Sequence, residues 1–183
     1  IARSTASSFK EVTSAAVEFS RQGLSIQQTL KATNAALLLA RISGLDAADS
    51  VKALTTAING FNKEALDYEQ IVNRLASVDA NFAVSTKDIA EALSRVGSTA
   101  DEAGVSFNEL IATVTAVQQT TSRGGAVIGN ALKSIFTRIS RDTTISQLRE
   151  LGVAIDESQT GIERLRAIAQ AVERVDRTTA NTI

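Results

Sequence analysis

The sequence predicts an all-α fold of multiple short amphipathic helices joined by glycine-containing turns, packed as a bundle, between chains, or both. Three observations favour this fold class. Apolar residues recur at three- and four-residue steps in almost every stretch between glycines, and no stretch alternates convincingly as a strand does. The chain has 10 glycines and no proline, so glycine must end its helices.

The first predicted helices lie in an N-terminal helical segment, residues 1–44, and at the start of a core segment, residues 45–152. Asp46 is a favourable N-cap for a helix with an apolar stripe at helical spacing. The members of that stripe are Val51, Leu54, Ile58 and Phe61. Two further stripes follow within residues 68–78 and 89–96.

The next two helices carry the clearest signals. Ser106 and Glu109 have the spacing of a capping box, in which a hydroxyl and a carboxylate each bind a backbone N–H at the helix start. The strongest apolar stripe follows Gly125, and it consists of Val127, Ile128, Ala131, Leu132, Ile135, Phe136 and Ile139. A face this apolar must be buried, so we expect it to form a core or a protein contact.

Glycines predict the breaks between helices. They lie at Gly23, Gly44, Gly60, Gly97, Gly104, Gly124, Gly125, Gly152 and Gly161. We expect a flexible hinge at Gly124, Gly125 and Gly129, with the joint itself at Gly124 and Gly125, and we expect the helix that follows to pack closely through Gly125 and Gly129.

In the last segment, residues 153–183, the sequence pattern predicts one C-terminal helix. Its apolar residues step by 3, 3, 4 and 3, which suits a short coiled-coil seam. They are Ile162, Leu165, Ile168, Val172 and Val175.

Composition excludes several classes of function. The 183 residues suit one domain. The absence of His and Cys removes imidazole acid–base chemistry, thiolate nucleophiles, disulfides and Cys/His zinc sites. We therefore predict no enzyme activity, no cofactor and no metal site. The chain starts at Ile1 and contains no Met, so we expect it to be a piece of a longer protein.

The net charge of −1 gives no general attraction to polyanions, but it hides alternating blocks. Residues 1–43 carry +3, residues 44–118 carry −6, residues 119–149 carry +4 and residues 150–183 carry −2. These blocks could lie against each other, within the chain or between copies, or be solvated helix faces. The third block holds a basic cluster, which we expect to contact protein or solvent rather than DNA: Lys133, Arg138, Arg141 and Arg149.

Residues 124–134 partly match the phosphate-binding motif G-x-x-x-x-G-K-[ST]. The motif requires Lys and Ser or Thr directly after its second glycine, but Asn130 and Ala131 follow Gly129 here. No predicted strand precedes the loop. We therefore predict a bend between two helices rather than a nucleotide site.

Three stretches in order resemble the core region of bacteriophage tail tape measure proteins. They are DANFAVSTKDIAEAL at 79–93, AGVSFNELIA at 103–112 and GNALKSIFTRI at 129–139. The upstream ALTTAINGFN at 53–62 is also similar to this family, and the resemblance covers about residues 45–152. The glycine-rich loop at 120–126 departs from the family pattern.

The resemblance implies a non-enzymatic virion component that sets tail length inside the tail tube, anchors at the tail tip and leaves ahead of the DNA at infection. It implies a homo-oligomer, with three copies as one option, that contacts the tail-tip hub and tail tube proteins. The implied location is the tail tube lumen and tail tip, with the host cytoplasm during assembly. DNA contact is not expected from this segment, and host membrane contact could occur only after ejection.

Because its helices are short, we expect this segment to be a folded anchoring module rather than the measuring rod. The alternative is a helical signalling or adaptor module of a bacterial protein, which would need longer uninterrupted heptads.

Overall fold

The structure, a computed structural model, describes residues 1–5, 7–61 and 67–180; the side chains of residues 3, 4 and 175–180 are not described. Within these ranges the chain forms ten helical segments and no strand, which confirms the predicted all-α fold. The helices are α1 Ala2–Thr5, α2 Phe9–Arg21, α3 Ile26–Ser43, α4 Ala47–Gly60, α5 Tyr68–Asn81, α6 Thr86–Glu102, α7 Phe107–Thr121, α8 Gly125–Ile139, α9 Asp142–Glu150 and α10 Gly161–Ala180.

The helices begin where side chains satisfy their first backbone N–H groups. Seven side chains directly before a helix accept the N–H three residues further on: Ser8, Ser25, Asp46, Asp67, Ser85, Ser106 and Thr160. The predicted N-cap at Asp46 and the predicted capping box of Ser106 and Glu109 are confirmed. Gly44 ends α3 in the left-handed conformation with φ 70°, which glycine adopts without steric cost.

One predicted helix break is wrong. Gly97 lies inside α6, which continues to Glu102. A Cβ at Gly97 would lie 3.0 Å from Cγ2 of Thr56 on α4, and a Cβ at Gly60 would lie 3.3 Å from the carbonyl carbon of Gly97. Gly97 therefore permits a close crossing of α4 and α6 instead of ending a helix.

Helix α6 lies at the centre of the bundle, and its most extensive contacts are with α8 and α4. In the core, aromatic residues that are distant in the sequence pack against each other. The rings of Phe61 and Phe107 pack edge to face at 5.4 Å, and those of Phe19 and Tyr68 at 5.7 Å. One main core forms around these contacts.

The C-terminal helix packs onto this core through its first half. Ile162 is buried, Leu165 and Ile168 pack partly against the core, and Val172 is exposed. Val175 lies outside the described side chains, so the coiled-coil seam stays a prediction. A smaller apolar cluster lies beside α10, and its buried members are Ile145, Val153 and Ile155.

The division into segments 1–44, 45–152 and 153–183 also stays a prediction. The main core contains residues from all three, from Ala15 to Ile162.

Candidate functional site

The predicted apolar stripe of α8 has two edges that differ in exposure. Four members are buried in the main core: Ile128, Leu132, Phe136 and Ile139. On the other edge, Val127 and Ile135 expose 51% and 38% of their surface, and Ala131 between them is also exposed. The buried edge is core, whereas the protein contact at the exposed edge stays a prediction.

Glycines set the distance between α8 and α6. A Cβ at Gly125 would overlap the backbone of Asp88, and a Cβ at Gly129 would lie 2.8 Å from Cα of Ala92. The predicted close packing through Gly125 and Gly129 is therefore confirmed. Gly124 is the N-cap of α8 and Gly125 its first residue, so both lie at the predicted bend. Flexibility at this hinge stays a prediction.

The carboxylate of Asp88 connects three helices beside this interface. Its Oδ1 accepts the backbone N–H of Gly125 at 2.7 Å. Its Oδ2 accepts Nε2–H of Gln118 and Oγ–H of Ser85, both at 2.6 Å. One side chain thus joins the start of α6, the last turn of α7 and the start of α8.

Sequence reasoning did not identify Asp88. The three-residue spacing from Ser85 is a local signal for a carboxylate held near a helix start. The bonds to Gln118 and Gly125 span 30 and 37 residues, and no sequence pattern indicates them.

These contacts favour the ionised form of Asp88. Partial burial disfavours the charge, but the hydrogen bonds from Ser85, Gly125 and Gln118, with the nearby Lys87 ammonium, outweigh it and lower the pKa of Asp88. An anionic carboxylate therefore lies at the start of α8, where the helix dipole stabilises negative charge.

This geometry supports the interpretation of Gly124 and Gly125 as a bend between two helices rather than as part of a phosphate-binding loop. Phosphate-binding loops place an anion on the N–H groups at a helix start. In α8 the N-cap Gly124 has no side chain to cap the helix, and the carboxylate of Asp88 binds the first N–H instead.

The predicted basic cluster is spread over two helices and is exposed. Lys133 and Arg138 lie on α8, and Arg141 is the N-cap of α9. These three form no salt bridge with any residue that the structure describes. Arg149 differs, because its Nε–H donates to the backbone oxygen of Ile155 at 2.8 Å. Contact of this cluster with a partner stays a prediction.

A structural arginine was also missed by sequence reasoning. Arg164 is 7% exposed, and its guanidinium donates to the backbone oxygens of Ile139, Asp156 and Glu157 at 3.3, 3.2 and 2.9 Å. It joins α10 to the last turn of α8 and to the preceding loop. A cation at the C-terminal end of α8 also suits the helix dipole.

Several open grooves lie on the surface of the described part of the chain. One of about 400 Å³ lies between α5 and α7, beside the half-exposed Phe82 and the buried Ile111. Across the described ranges, no group of three or more His, Cys, Asp or Glu side chains could hold a metal ion. In the same part of the chain, none of the helices combines the length and apolarity needed to cross a bilayer.

Comparison with known protein families shows a match over nearly the whole chain. The family model described as phage-related minor tail protein matches residues 1–182. No curated protein and no solved structure matches the chain.

Proposed function

The chain belongs to the phage-related minor tail protein family, and from this premise we propose that it is a structural, non-catalytic part of a tail tape measure protein. Such a protein lies in the lumen of the tail tube, sets tail length, anchors at the tail tip and leaves ahead of the DNA. The family match over residues 1–182 is the observation that carries the proposal.

Within that protein we assign these residues to an anchoring module. A ruler needs helix that extends along the tail, at about 1.5 Å per residue. The longest helix in the described part of the chain has 20 residues, and α4, α6 and α8 pack side by side instead of end to end. This packing supports an anchoring role better than a measuring role.

The proposed partners are other copies of the chain, the tail-tip hub and the tail tube proteins. Two features support protein contacts: the exposed edge of the α8 stripe, and exposed cations such as Lys133 and Arg138 that lack a partner among the described side chains. The family match favours this role over a bacterial signalling or adaptor module.

Electron microscopy of tails tests the proposal with two changes to the parent protein. Deleting helical residues outside this module should shorten tails by about 1.5 Å per residue. Replacing Gly125 with Val should instead abolish tails, because the side chain would overlap the backbone of Asp88. The Gly124→Ala protein is the control and should form tails of ordinary length. Ordinary tails from a protein lacking the whole module would overturn the proposal.

A further inference from the structure

Helix α3 has two apolar faces. One face lies in the main core, with four buried members: Ala32, Ala35, Ala36 and Leu39. The other face is exposed by 82%, 51%, 39% and 37% at four residues, in this order: Ile26, Leu30, Leu38 and Ile42. Among the side chains that the structure describes, no other helix exposes as many large apolar ones. A surface helix normally has a single apolar stripe that faces the core, so the second face of α3 indicates a surface that another molecule covers.

The four exposed side chains lie in one row along the helix. With Asn34 at its centre, the row advances by four residues at a time from Ile26 to Ile42, and we call it the α3 ridge. It is about 24 Å long at 1.5 Å per residue. Rows of residues four apart are the ridges that pack into the grooves of a neighbouring helix. The four apolar side chains expose roughly 350 Å² together, which is within the range of about 300–600 Å² for functional patches. A helix of similar length therefore has the shape to cover the α3 ridge.

The charged residues of α3 are both positive. Lys31 precedes Asn34 by three residues and Arg41 follows Leu38 by three, so each is a surface neighbour of the α3 ridge. Both side chains are exposed, and neither forms a salt bridge with a residue that the structure describes. Helix α3 contains no Asp or Glu. The complement of this apolar and cationic face is an apolar and anionic one.

From this complementarity we propose that the α3 ridge is the docking site for an acidic amphipathic helix of another tail protein. The docked helix lays its apolar stripe along the α3 ridge and sets carboxylates against Lys31 and Arg41. Asn34 is half-buried and interrupts the apolar row. Because a polar residue in such a seam fixes the register, the docked helix presents a polar side chain opposite Asn34. The source of the helix, a tail protein, rests on the proposed function, whereas its chemistry rests on α3 alone.

The charges of α3 disfavour two other occupants. Packing of α3 against α3 of a second copy supplies no carboxylate for Lys31 or Arg41, since α3 has no acidic residue. Helices that lie on anionic membranes are rich in Lys and Arg on their polar face, whereas α3 has one of each. An acidic helix satisfies both the apolar row and the two cations.

Titration calorimetry of the 183-residue chain with two synthetic peptides tests the charge preference. Both peptides are helices of about 18 residues, long enough to span the α3 ridge, with leucine at steps of three and four residues. One peptide has Glu beside the leucine stripe and the other has Lys at the same positions. The acidic peptide should bind at least tenfold more tightly than the basic one. In the double variant Lys31→Glu, Arg41→Glu this preference should reverse.

The matched control for charge is Lys133→Glu, Arg138→Glu, because these α8 cations are also exposed and lack a salt bridge among the described residues. It changes the net charge equally and should keep the preference for the acidic peptide. Hydrogen exchange should slow in residues 26–43 when the acidic peptide binds, and not in residues 125–139.

A second pair of variants tests the apolar row. The double variant Leu30→Ser, Leu38→Ser should weaken binding of the acidic peptide at least tenfold. Phe82→Ser is the control, because Phe82 on the C-cap of α5 has an exposure of 49%, close to the 51% of Leu30. It should leave the affinity unchanged, and thermal unfolding should show that all variants fold.

Revertants of the phage identify the docked helix. Lys31→Glu, Arg41→Glu in the parent protein should impair tail assembly. Second-site changes that restore tails should replace Asp or Glu with Lys or Arg in a helix of another tail protein. Revertants confined to this chain would overturn the proposal.

Equal binding of the two peptides, or a preference that reverses in the α8 control instead of the α3 variant, would also overturn it. So would self-association of the chain, or binding to phosphatidylglycerol vesicles, that Leu30→Ser, Leu38→Ser abolishes, because the α3 ridge would then serve a second copy or a membrane. These outcomes leave the tail role untouched, since tail length and deletion of the module test that role separately.

Discussion

The carboxylate of Asp88 caps a helix that begins 37 residues later in the chain, with its Oδ1 2.7 Å from the N–H of Gly125. The same side chain binds Gln118 and Ser85, so one acidic group fixes where α6, α7 and α8 meet. Gly125 also allows α8 to approach the backbone of Asp88. The meeting point of these three helices therefore depends on the carboxylate of Asp88 and on the lack of a side chain at Gly125.

Removing this carboxylate should destabilise the fold. Asp88→Ala leaves the donors of Gly125 and Gln118 without their acceptor, which should lower the free energy of unfolding by about 1–3 kcal/mol. Urea denaturation followed by circular dichroism measures the change. Glu102→Ala at the exposed end of α6 is the control and should have little effect. Equal losses for both variants would show that Asp88 has no special role.

The free energy of unfolding should fall in acid, because protonation removes the charge of carboxylates that accept hydrogen bonds in the folded chain. Hydrogen bonds to the carboxylates lower the pKa of Asp88 and that of Glu109 from their ordinary values of 3.8 and 4.5. A lowered folded-state pKa stabilises the fold above the unfolded-state pKa, and this contribution is lost as the pH falls through the folded-state value. The free energy of unfolding should therefore begin to decrease below about pH 5 and continue to decrease below pH 4.

Unfolding curves of Asp88→Asn and Glu109→Gln between pH 7 and pH 2 isolate each contribution. Each variant should show a shallower decrease in acid than the native chain. A native chain whose stability rises between pH 5 and pH 3 would contradict the assignment. Because the chain has no His, we expect no histidine titration near neutral pH.

The same substitution should destabilise the fold strongly at Gly125 and only slightly, if at all, at the adjacent Gly124. Gly125→Ala should cost about 3 kcal/mol or more, or prevent folding, because its Cβ would overlap the backbone of Asp88. At Gly124 the nearest atom to an added Cβ is Oδ1 of Asp88 at 3.6 Å, so Gly124→Ala should change stability by less than about 1 kcal/mol. Thermal unfolding compares them, and equal tolerance at both sites would refute the close packing.

The sequence predicts the features of this fold that depend on neighbouring residues, but not those that depend on contacts between distant residues. Helix periodicity and capping residues such as Asp46 and Ser106 act locally, so the all-α fold and several helix starts could be predicted. A glycine that ends a helix and one that allows a close crossing look alike in sequence, and so Gly97 was misinterpreted. Asp88 was missed because its partners are distant in the chain.

Arg164 should be needed to hold the loop between α9 and α10. Arg164→Met removes the donors to Ile139, Asp156 and Glu157 and leaves these oxygens without that partner. We expect a loss of about 1–3 kcal/mol and faster amide exchange in residues 153–160. Arg164→Lys should recover little of the loss, because one ammonium cannot reproduce the planar donor geometry.

Hydrogen exchange followed by mass spectrometry measures the loop directly. Arg138→Met is the control, since Arg138 is exposed on α8, and it should leave exchange in residues 153–160 unchanged. Unchanged exchange in Arg164→Met would contradict the anchoring role.

Truncating one residue on each edge of the α8 stripe should lower the free energy of unfolding by different amounts. Phe136 is fully buried in the main core, so Phe136→Ala should lower the free energy of unfolding by about 3–5 kcal/mol. Ile135 keeps 38% of its surface exposed, so Ile135→Ala should cost less than about 1.5 kcal/mol.

If the exposed edge contacts a tail partner, Ile135→Ala should impair tail assembly in a chain that still folds. Urea unfolding and tail counts by electron microscopy therefore distinguish core from contact, and normal tails from an Ile135→Glu protein would exclude the contact.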